Sequence, residues 1–254
     1  MDAHTPSNQI KLPDSLLQRM SLMSTGSLSI QLFKRGIRNC FLAGLKPLNP
    51  AAARFAGTAF TMRLIPARED IDNYDNLVPY PSDRNLQWKA VDAIGKDEVL
   101  VVDSRNDCNA ASGGGILLTH MMTKGVAGIV TDGALRDGVE IAAMPFPAYA
   151  RGINATTRLA GHHVADLQSP IACAGVPVYP GDVLVGDGDG VVVVPRYLAQ
   201  EVADAAEQQD AMEQWLQQRI ADGAPLYGTY PPNEETRAQY EAWRQSQKQD
   251  TSSS

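Results

Sequence analysis

The fold of this chain is decided by residues 112–140, SGGGILLTHMMTKGVAGIVTDGALRDGVE. Three glycines lead into an apolar run with helical spacing, which predicts a helix that begins near Ile116 and ends at Gly125. The β-branched segment 126–130 then predicts a short buried strand, followed by a polar loop. The first N–H groups of a helix have no partner inside it, so the glycine loop is a candidate anion site.

Strands and helices alternate on both sides of this stretch. Segments 55–66 and 99–103 predict strands, with a helix over 86–94 between them, and short strands with hairpin turns follow in 164–194. If the strands at 99–103 and 127–132 are parallel neighbours, their following loops meet at one sheet edge, where open α/β sheets bind ligands. The pattern predicts a mixed α/β fold, parallel at the centre and antiparallel later.

Both ends of the chain add helical segments. Asp14 is expected to cap a short helix, and a second helix follows over 27–34. The main domain is predicted at 14–195, and 196–247 is predicted as a helical C-terminal extension that packs on it or on a neighbouring subunit. Residues 70–84 are rich in Asp, Asn, Pro and Tyr, which predicts a long loop that could reach the site as a lid.

Composition excludes several classes of protein. A chain of 254 residues, 44% hydrophobic, can bury a full core. The formal net charge of −7 argues against nucleic acid and anionic membranes as partners, and it means that an anionic substrate must be attracted by local cations. No apolar run reaches transmembrane length, so a cytoplasmic protein is expected. Three scattered cysteines without a CxxC pair argue against a disulfide framework or a zinc ribbon.

Several motifs have simpler interpretations. The triple glycine lacks both the Walker GK[ST] and the GxGxxG order, and alone it could be a flexible turn. The pair Arg136-Asp137 alone is most often a surface ion pair. The DGDG at 187–190 resembles a calcium loop but lacks the downstream glutamate, so a hairpin turn is favoured. Lys124 could form a Schiff base, but a cation at a helix end is the favoured interpretation. The adjacent His162-His163 are interpreted as surface or loop histidines.

The spacing of four positions is more specific. Gly115, twenty intervening residues, Arg136-Asp137, two more residues and Glu140 match the signature G-x20-R-D-x2-E/D. This signature resembles that of the class II pyruvate aldolases of the 4-hydroxy-4-methyl-2-oxoglutarate / 4-carboxy-4-hydroxy-2-oxoadipate aldolase family. The related RraA-like regulators of ribonuclease activity share most of it. The resemblance extends over about residues 24–196, including PYPSDRN at 79–85 and PGDVLVGDGDGVVVVP at 180–195.

The resemblance implies a fold, an assembly and a reaction. The fold is a layered α/β/β/α sandwich of the swivelling β/β/α (RraA-like) type. The assembly is a homotrimer or a hexamer (a dimer of trimers), with the active site near a subunit boundary. The reaction is the metal-dependent cleavage of a small 4-hydroxy-2-oxo acid to pyruvate and a second carbonyl compound, with oxaloacetate decarboxylation as a side activity.

The resemblance also implies residue roles. Asp137 binds Mg2+ or Mn2+, largely alongside waters. Arg136 contacts the pyruvyl oxygen and offsets the enolate charge, while Glu140 orients Arg136 or a water on the metal. The substrate carboxylate is held by four successive backbone positions: Gly114, Gly115, Ile116 and Leu117.

Three matters stay open in the sequence. The acceptor half of the substrate is not determined, so sugar-derived 2-oxo-3-deoxy acids stay alternatives to the substrates of aromatic degradation. The aldolases also use an acidic residue from a neighbouring subunit, and no motif selects among the acidic candidates of the C-terminal helix: Glu201, Glu207, Asp210 and Glu213. The alternative function is a non-catalytic RraA-like regulator that binds a ribonuclease. A methyltransferase is discounted because no GxGxG nucleotide loop follows a predicted strand.

Overall fold

The structure, a computed structural model, describes residues 12–77 and 85–252. Most of the PYPSDRN segment and the end of the predicted 70–84 loop lie outside the described residues. The described part of that loop contains a short helix, Tyr74–Leu77.

Strands occupy the middle of the chain and helices its two ends. The strands are β1 (Lys46–Pro47), β2 (Phe55–Pro66), β3 (Glu98–Asp103), β4 (Gly128–Thr131), β5 (Ala134–Leu135), β6 (Ala148–Ala150), β7 (Gly152–Ile153), β8 (His162–Leu167), β9 (Ile171–Cys173), β10 (Val176–Val178), β11 (Val183–Gly186) and β12 (Val191–Val194). The helices are α1 (Asp14–Leu22), α2 (Thr25–Lys34), α3 (Tyr74–Leu77), α4 (Leu86–Ala93), α5 (Gly115–Thr123), α6 (Gly138–Ala142), α7 (Ala199–Ala221), α8 (Leu226–Thr229) and α9 (Glu234–Ser252).

One mixed sheet organises the chain. Its strand order is β1-β6-β4-β3-β2-β11-β12, and β8 also pairs with β2. The neighbours β2, β3, β4 and β6 are parallel, whereas β1, β8, β11 and β12 pair antiparallel with their neighbours. The predicted arrangement of a parallel centre and later antiparallel strands is therefore confirmed, including the β3–β4 neighbours that bring two loops to one edge.

The two faces of this sheet are covered by different layers. On β3, Leu100 and Val102 join a core with residues of α4 and α5, because successive side chains of a strand point to opposite faces. Val99 and Val101 point the other way, into a core with the β9–β10 hairpin and with β11 and β12. The fold is thus a layered α/β type, and helices α7 to α9 form a further helical region at the C-terminal side of the sheet strands in sequence.

The first helix begins differently from the prediction. Asp14 is the first residue of α1 and does not cap it; Pro13 occupies the N-cap position, and no side chain bonds there. The acidic side chain instead lies in the first turn, where it complements the helix dipole. At α2, Ser24 is the cap and accepts from the amide of Gly26.

The chain divides into two compact units, one ending at Ala203 and the other beginning at Asp204. In the second unit the rings of Trp215, Tyr240 and Trp243 pack within 5.5–6.3 Å of one another. The guanidinium of Arg219 lies 4.7 Å from the Trp215 ring centre, a cation–π contact. Among the described residues, no helix is both long and apolar enough to cross a membrane.

Candidate active site

The glycine loop and the Arg136-Asp137 loop are joined along their backbones. Ser112 N donates to Ala134 O at 2.7 Å, and Arg136 N donates to Gly113 O at 3.0 Å. These loops follow β3 and β4, so the predicted meeting of the two loops at the carboxyl edge of the sheet is confirmed.

Helix α5 begins at this junction, and some of the backbone amides of its first turn already have acceptors within the protein. Gly115 N donates to Asp137 Oδ2 at 2.9 Å, and Leu117 N donates to Gly114 O at 3.0 Å. The N–H groups of Gly114 and Ile116 have no acceptor among the described residues. Those two amides are therefore the ones that an incoming carboxylate can reach without breaking a bond.

Position 114 needs a glycine because neighbouring side chains lie too close for a Cβ. Its backbone angles do not require one. Its φ of −151° and ψ of 176° are open to any residue. A Cβ at this position would lie 2.7 Å from Arg136 Nε, 2.7 Å from Asp137 Oδ2 and 2.8 Å from Arg136 Cγ. Only a residue without a side chain lets the glycine loop lie directly against this cation and carboxylate.

Asp137 adopts a left-handed conformation, with φ 61° and ψ 42°. Its carboxylate lies 3.6 Å from Arg136 Nε, which is too long for a good hydrogen bond, and both side chains are about 40% exposed (43% and 40%). Asp137 Oδ1 has no partner in the part of the chain that the structure describes. Both groups therefore remain available to a ligand.

Glu140 lies one turn farther on, in α6, where it is exposed. Its backbone carbonyl accepts from Ala143 N. Within the described ranges, its carboxylate makes no ion pair with Arg136. The sequence prediction that Glu140 orients other site groups therefore stays a prediction.

A cleft of about 440 Å³ opens beside this junction. Its volume falls within the range typical of small-molecule sites. Its walls come from the glycine loop and α5, from the start of α4, from α3 and from the turn after β7: Tyr74, Asn85, Gln87, Trp88, Ala111, Gly113, Gly114, Ile116, Leu117, Arg136, Thr157, Arg158 and Leu159. The described part of the 70–84 segment thus reaches the cleft through Tyr74.

The sequence interpretation missed a buried polar chain in the cleft wall. Arg158 is 6% exposed, and its Nε donates to Gln87 Oε1 at 3.0 Å while its Nη1 donates to the carbonyl of His162 at 2.9 Å. Gln87 Nε2 in turn donates to Ser112 O at 2.6 Å, so this chain reaches the glycine loop. Desolvation by burial lowers the pKa of the Arg158 guanidinium, although the negative charge of Asp72 acts in the opposite direction.

The interpretation of His162 and His163 as surface or loop histidines is wrong for His162, whereas the side chain of His163 is 33% exposed. Both lie on β8; His162 is fully buried, and His163 Nδ1 lies 2.5 Å from Asp72 Oδ1. The nitrogen His162 Nδ1 lies 3.2 Å from the Arg105 guanidinium, while Nε2 lies 3.1 Å from Ala110 O. The neutral ring with its proton on Nε2 satisfies both contacts. Burial lowers the pKa of His162.

Buried hydroxyls support the glycine loop from below. Ser112 Oγ lies 2.6 Å from Ser104 Oγ, which lies 2.9 Å from Thr131 Oγ1. Asp132 accepts from three backbone amides, and burial raises the pKa of this carboxyl. These groups are enclosed and mutually bonded, so they fix the loop instead of facing a ligand.

Three further groups have structural roles. Lys124 ends α5 and donates to the carbonyl of Asp92, which confirms its placement at a helix end. The 187–190 segment is the predicted hairpin turn, and the carboxylate of Asp187 accepts from the amide and hydroxyl of Thr25. Glu201 accepts from Arg35 Nε at 2.9 Å.

The metal-ligating side chains near the junction suit a hard cation that takes most of its ligands from water or substrate. No group of three or more His, Cys, Asp or Glu side chains converges among the described residues. The exposed Asp137 carboxylate is therefore the protein ligand that the junction offers. Magnesium commonly binds proteins through one or two carboxylates and keeps several waters, so a lone carboxylate beside a substrate cleft fits such an ion.

The fold and the cleft place this chain in a class: layered α/β proteins with a ligand site at the carboxyl edge of parallel strands. The family model described as RraA-like (Aldolase/RraA) matches residues 20–193. The chain belongs to the RraA-like family.

Relatives with names from both branches of this family are similar to the chain. A Halalkalibacterium halodurans protein named "Putative 4-hydroxy-4-methyl-2-oxoglutarate aldolase" is 35% identical over 143 residues, which are 56% of this chain and 67% of that protein. The 4-hydroxy-4-methyl-2-oxoglutarate aldolase of Thermus thermophilus is 31% identical over 144 residues, 57% of this chain and 77% of the enzyme. The structure of Streptomyces coelicolor RraAS2, described as an unusual member of the RNase ES inhibitor RraA family, aligns with a TM-score of 0.71 at 27% identity, over 85% of this chain and all of that one (100%).

Proposed function

We propose that this protein is a divalent-metal-dependent pyruvate aldolase, which cleaves a 4-hydroxy-2-oxo acid to pyruvate and a second carbonyl compound. The observation that carries the proposal is the junction of Gly114, Arg136 and Asp137, where unpartnered helix amides, a guanidinium and a free carboxylate oxygen meet beside a cleft. The aldolase names of the relatives support the same reaction class.

The substrate's pyruvyl half is positioned by the start of α5. Its carboxylate accepts from the Gly114 and Ile116 amides, which have no other acceptor among the described residues. The helix dipole adds to this attraction because the positive end of α5 faces the ligand. Gly115 and Leu117 contribute less directly, since their amides already serve Asp137 and Gly114.

Cleavage of the C3–C4 bond requires that its electron pair pass into pyruvate enolate while the C4 hydroxyl loses a proton. Negative charge then grows on the former ketone oxygen. Arg136 lines the cleft, and among the described residues its side chain makes one long contact, to Asp137. Its guanidinium can therefore meet that oxygen, and the contact strengthens as charge develops. Protonation of C3 completes pyruvate.

Asp137 is the proposed ligand of Mg2+ or Mn2+, through its unpartnered Oδ1. When bound there, the cation supplies Lewis-acid polarisation of the ketone oxygen. Asp137 Oδ2 stays on Gly115 N, which fixes the carboxylate against the helix. Glu140 is proposed to orient water or Arg136 at the exposed mouth of the site.

The same enolate is formed when oxaloacetate loses carbon dioxide, so oxaloacetate decarboxylation is the proposed side activity. The test is pyruvate release from a panel of 4-hydroxy-2-oxo acids and from oxaloacetate, with and without EDTA. Turnover should vanish with EDTA and return with Mg2+ or Mn2+. Turnover that persists in EDTA would refute the metal dependence, and no pyruvate from any of these acids would refute the aldolase proposal.

The similarity to RraAS2 favours one second candidate, a regulator that binds a ribonuclease. Such a protein needs no catalytic turnover, so it would co-purify with a ribonuclease and release no pyruvate. The aldolase proposal predicts the reverse in both assays.

Assembly as a homotrimer or hexamer is also proposed. Ile116 and Val139, at the start of α5 and in α6, are 81% and 84% exposed. Large apolar side chains exposed beside a site favour coverage by another subunit. Light scattering of the purified protein would measure the assembly, and a monomer would contradict it.

A further inference from the structure

Arg158 is a second guanidinium in the same cleft, and nothing in the proposed reaction so far uses it. It comes from the turn after β7, whereas Arg136 comes from the loop after β4. Its side chain is 6% exposed, yet the residue lines the cleft. A buried cation at a ligand site needs a reason, because burying a charge without compensation is costly.

The hydrogen bonds of Arg158 do not neutralise it. Both acceptors, Gln87 Oε1 and the carbonyl of His162, are uncharged. Asp72 influences the guanidinium electrostatically, but no carboxylate among the described residues forms an ion pair with it. Burial consequently lowers the pKa of Arg158 despite Asp72, which is the signature of a charge whose compensation is incomplete.

The third nitrogen of the guanidinium faces no protein acceptor in the described ranges. Nη2 makes no hydrogen bond to a described residue, and Arg158 is among the residues that line the cleft. Nε and Nη1 are held in place by Gln87 and by β8, so the remaining N–H groups are presented at a fixed orientation. A rigid guanidinium of this kind suits a carboxylate.

The pyruvyl half of the substrate already has its partners in Arg136 and the α5 amides. A cleft of about 440 Å³ has room for more than a three-carbon unit. We propose that Arg158 binds a carboxylate on the acceptor half of the substrate, the half released as the second carbonyl compound. Arg158 is thus the specificity-determining residue for a dicarboxylic 4-hydroxy-2-oxo acid. This inference rests on the proposed function for the pyruvyl half.

The test compares two substrates of equal chain length: 4-hydroxy-2-oxoglutarate, which carries the second carboxylate, and 4-hydroxy-2-oxopentanoate, which does not. The measured quantity is the ratio of their kcat/KM values, because a ratio is insensitive to the fraction of protein that is folded. The wild-type enzyme should prefer the dicarboxylate. Arg158→Gln should reduce that preference about 10- to 100-fold, the range for loss of a hydrogen bond to a charged group.

Two further variants make the result interpretable. Arg158→Lys keeps the charge but loses the planar fork of donors, so it should keep only part of the preference for the dicarboxylate. If Arg158→Gln does not fold, the comparison of Arg158→Lys with wild type replaces it. Arg63→Gln is the matched control: its guanidinium pairs with Asp166 on β8 and does not line the cleft, so the preference ratio should stay as in wild type. An equal loss on both substrates in the Arg158 variants would overturn the inference.

Binding without turnover separates this inference from the proposed function. Calorimetry with 2-oxoglutarate and 2-oxopentanoate, which lack the 4-hydroxyl group, measures the contribution of the second carboxylate alone. Tighter binding of 2-oxoglutarate that Arg158→Gln abolishes would support Arg158 even if neither hydroxy acid were cleaved, in which case the aldolase proposal alone would fail. Equal binding of both acids by the wild-type protein would refute the role of Arg158.

Discussion

Replacement of Gly114 by alanine tests the geometry on which the whole site depends. The new Cβ would lie 2.7 Å from Arg136 Nε and from Asp137 Oδ2, whereas ordinary contacts begin near 3.4 Å. Because both distances are short, Arg136 and Asp137 must each move away by about 0.7 Å, the difference between those distances, or the glycine loop must shift as a whole. The Asp137 carboxylate is short and bonded to Gly115 N, and the Arg136 contact includes Cγ, near the root of its side chain. Neither group can yield by moving only a flexible tip.

A displacement of this size at reacting groups can cost on the order of a hundredfold in rate. We expect Gly114→Ala to lower kcat/KM for pyruvate release by roughly that factor. Its free energy of unfolding should also fall, because the two contacts of 2.7 Å must be relieved, although the φ of −151° itself adds no backbone strain. Steady-state kinetics and urea unfolding of the same preparation measure both quantities.

Gly113→Ala is the matched control in the same loop. A Cβ there would meet Leu135 Cδ2 at 3.6 Å and two other apolar methyl groups at 3.9 Å, all ordinary contacts. This variant should keep activity within a few-fold of wild type. The reasoning is refuted if Gly114→Ala is as active as Gly113→Ala, since the Arg136 and Asp137 positions would then not matter for turnover.

Three other predictions concern single side chains. Arg136→Ala and Arg136→Lys should each reduce kcat on the aldol substrate and on oxaloacetate about 100- to 1000-fold with little change in KM; a raised KM with normal kcat would make the arginine a substrate clamp. Asp137→Asn should lose metal affinity and turnover together in a Mg2+ or Mn2+ titration, and unchanged metal dependence would move the cation elsewhere, to Glu140 for example. The folded-state pKa of His162 is lowered, so the unfolded chain binds more protons and stability should fall as the pH drops below about 6.5. Urea unfolding at two pH values should show a smaller fall in His162→Gln than in wild type, and an equal fall in both would exclude His162 as its source.

The position of the candidate site could be predicted because it depends on local order along the chain. Residues 99–102 and 126–130 are short, mainly β-branched and apolar runs, the second containing Gly128, and such runs are typical of buried parallel strands. Once they are neighbours, the polar residues that follow each of them must meet at one edge. The pairing of Val102 with Thr131 places the two loops side by side, as expected if the two strands are parallel neighbours.

Arg158 and Gln87 could not be found in this way. They are 71 positions apart in the chain and belong to no motif. Arg158 follows NATT in a polar segment, a context in which an arginine is usually exposed. It is held by Gln87 and by the carbonyl of His162, the first of which is a long-range contact that leaves no periodic signal in either segment. His162 lies on the same strand β8 and is fully buried, although the pair was interpreted as surface or loop histidines.

Gly114 and Asp137 differ in what their positions require of the residue. Gly114 could be any residue by its dihedral angles but must lack a Cβ, whereas Asp137 carries a side chain at a left-handed φ of 61° where glycine would be easier. Such a conformation costs roughly 1 kcal/mol in a residue with a Cβ, although aspartate tolerates it better than most. The bond from Gly115 N to Asp137 Oδ2 offsets part of that cost. It also sets the carboxylate at the start of α5 with its other oxygen directed away from that bond. Among the described residues, Asp137 supplies the carboxylate at this junction. A glycine at 137 would relieve the strain and remove that carboxylate, so the strained aspartate is better explained by ligand binding than by stability.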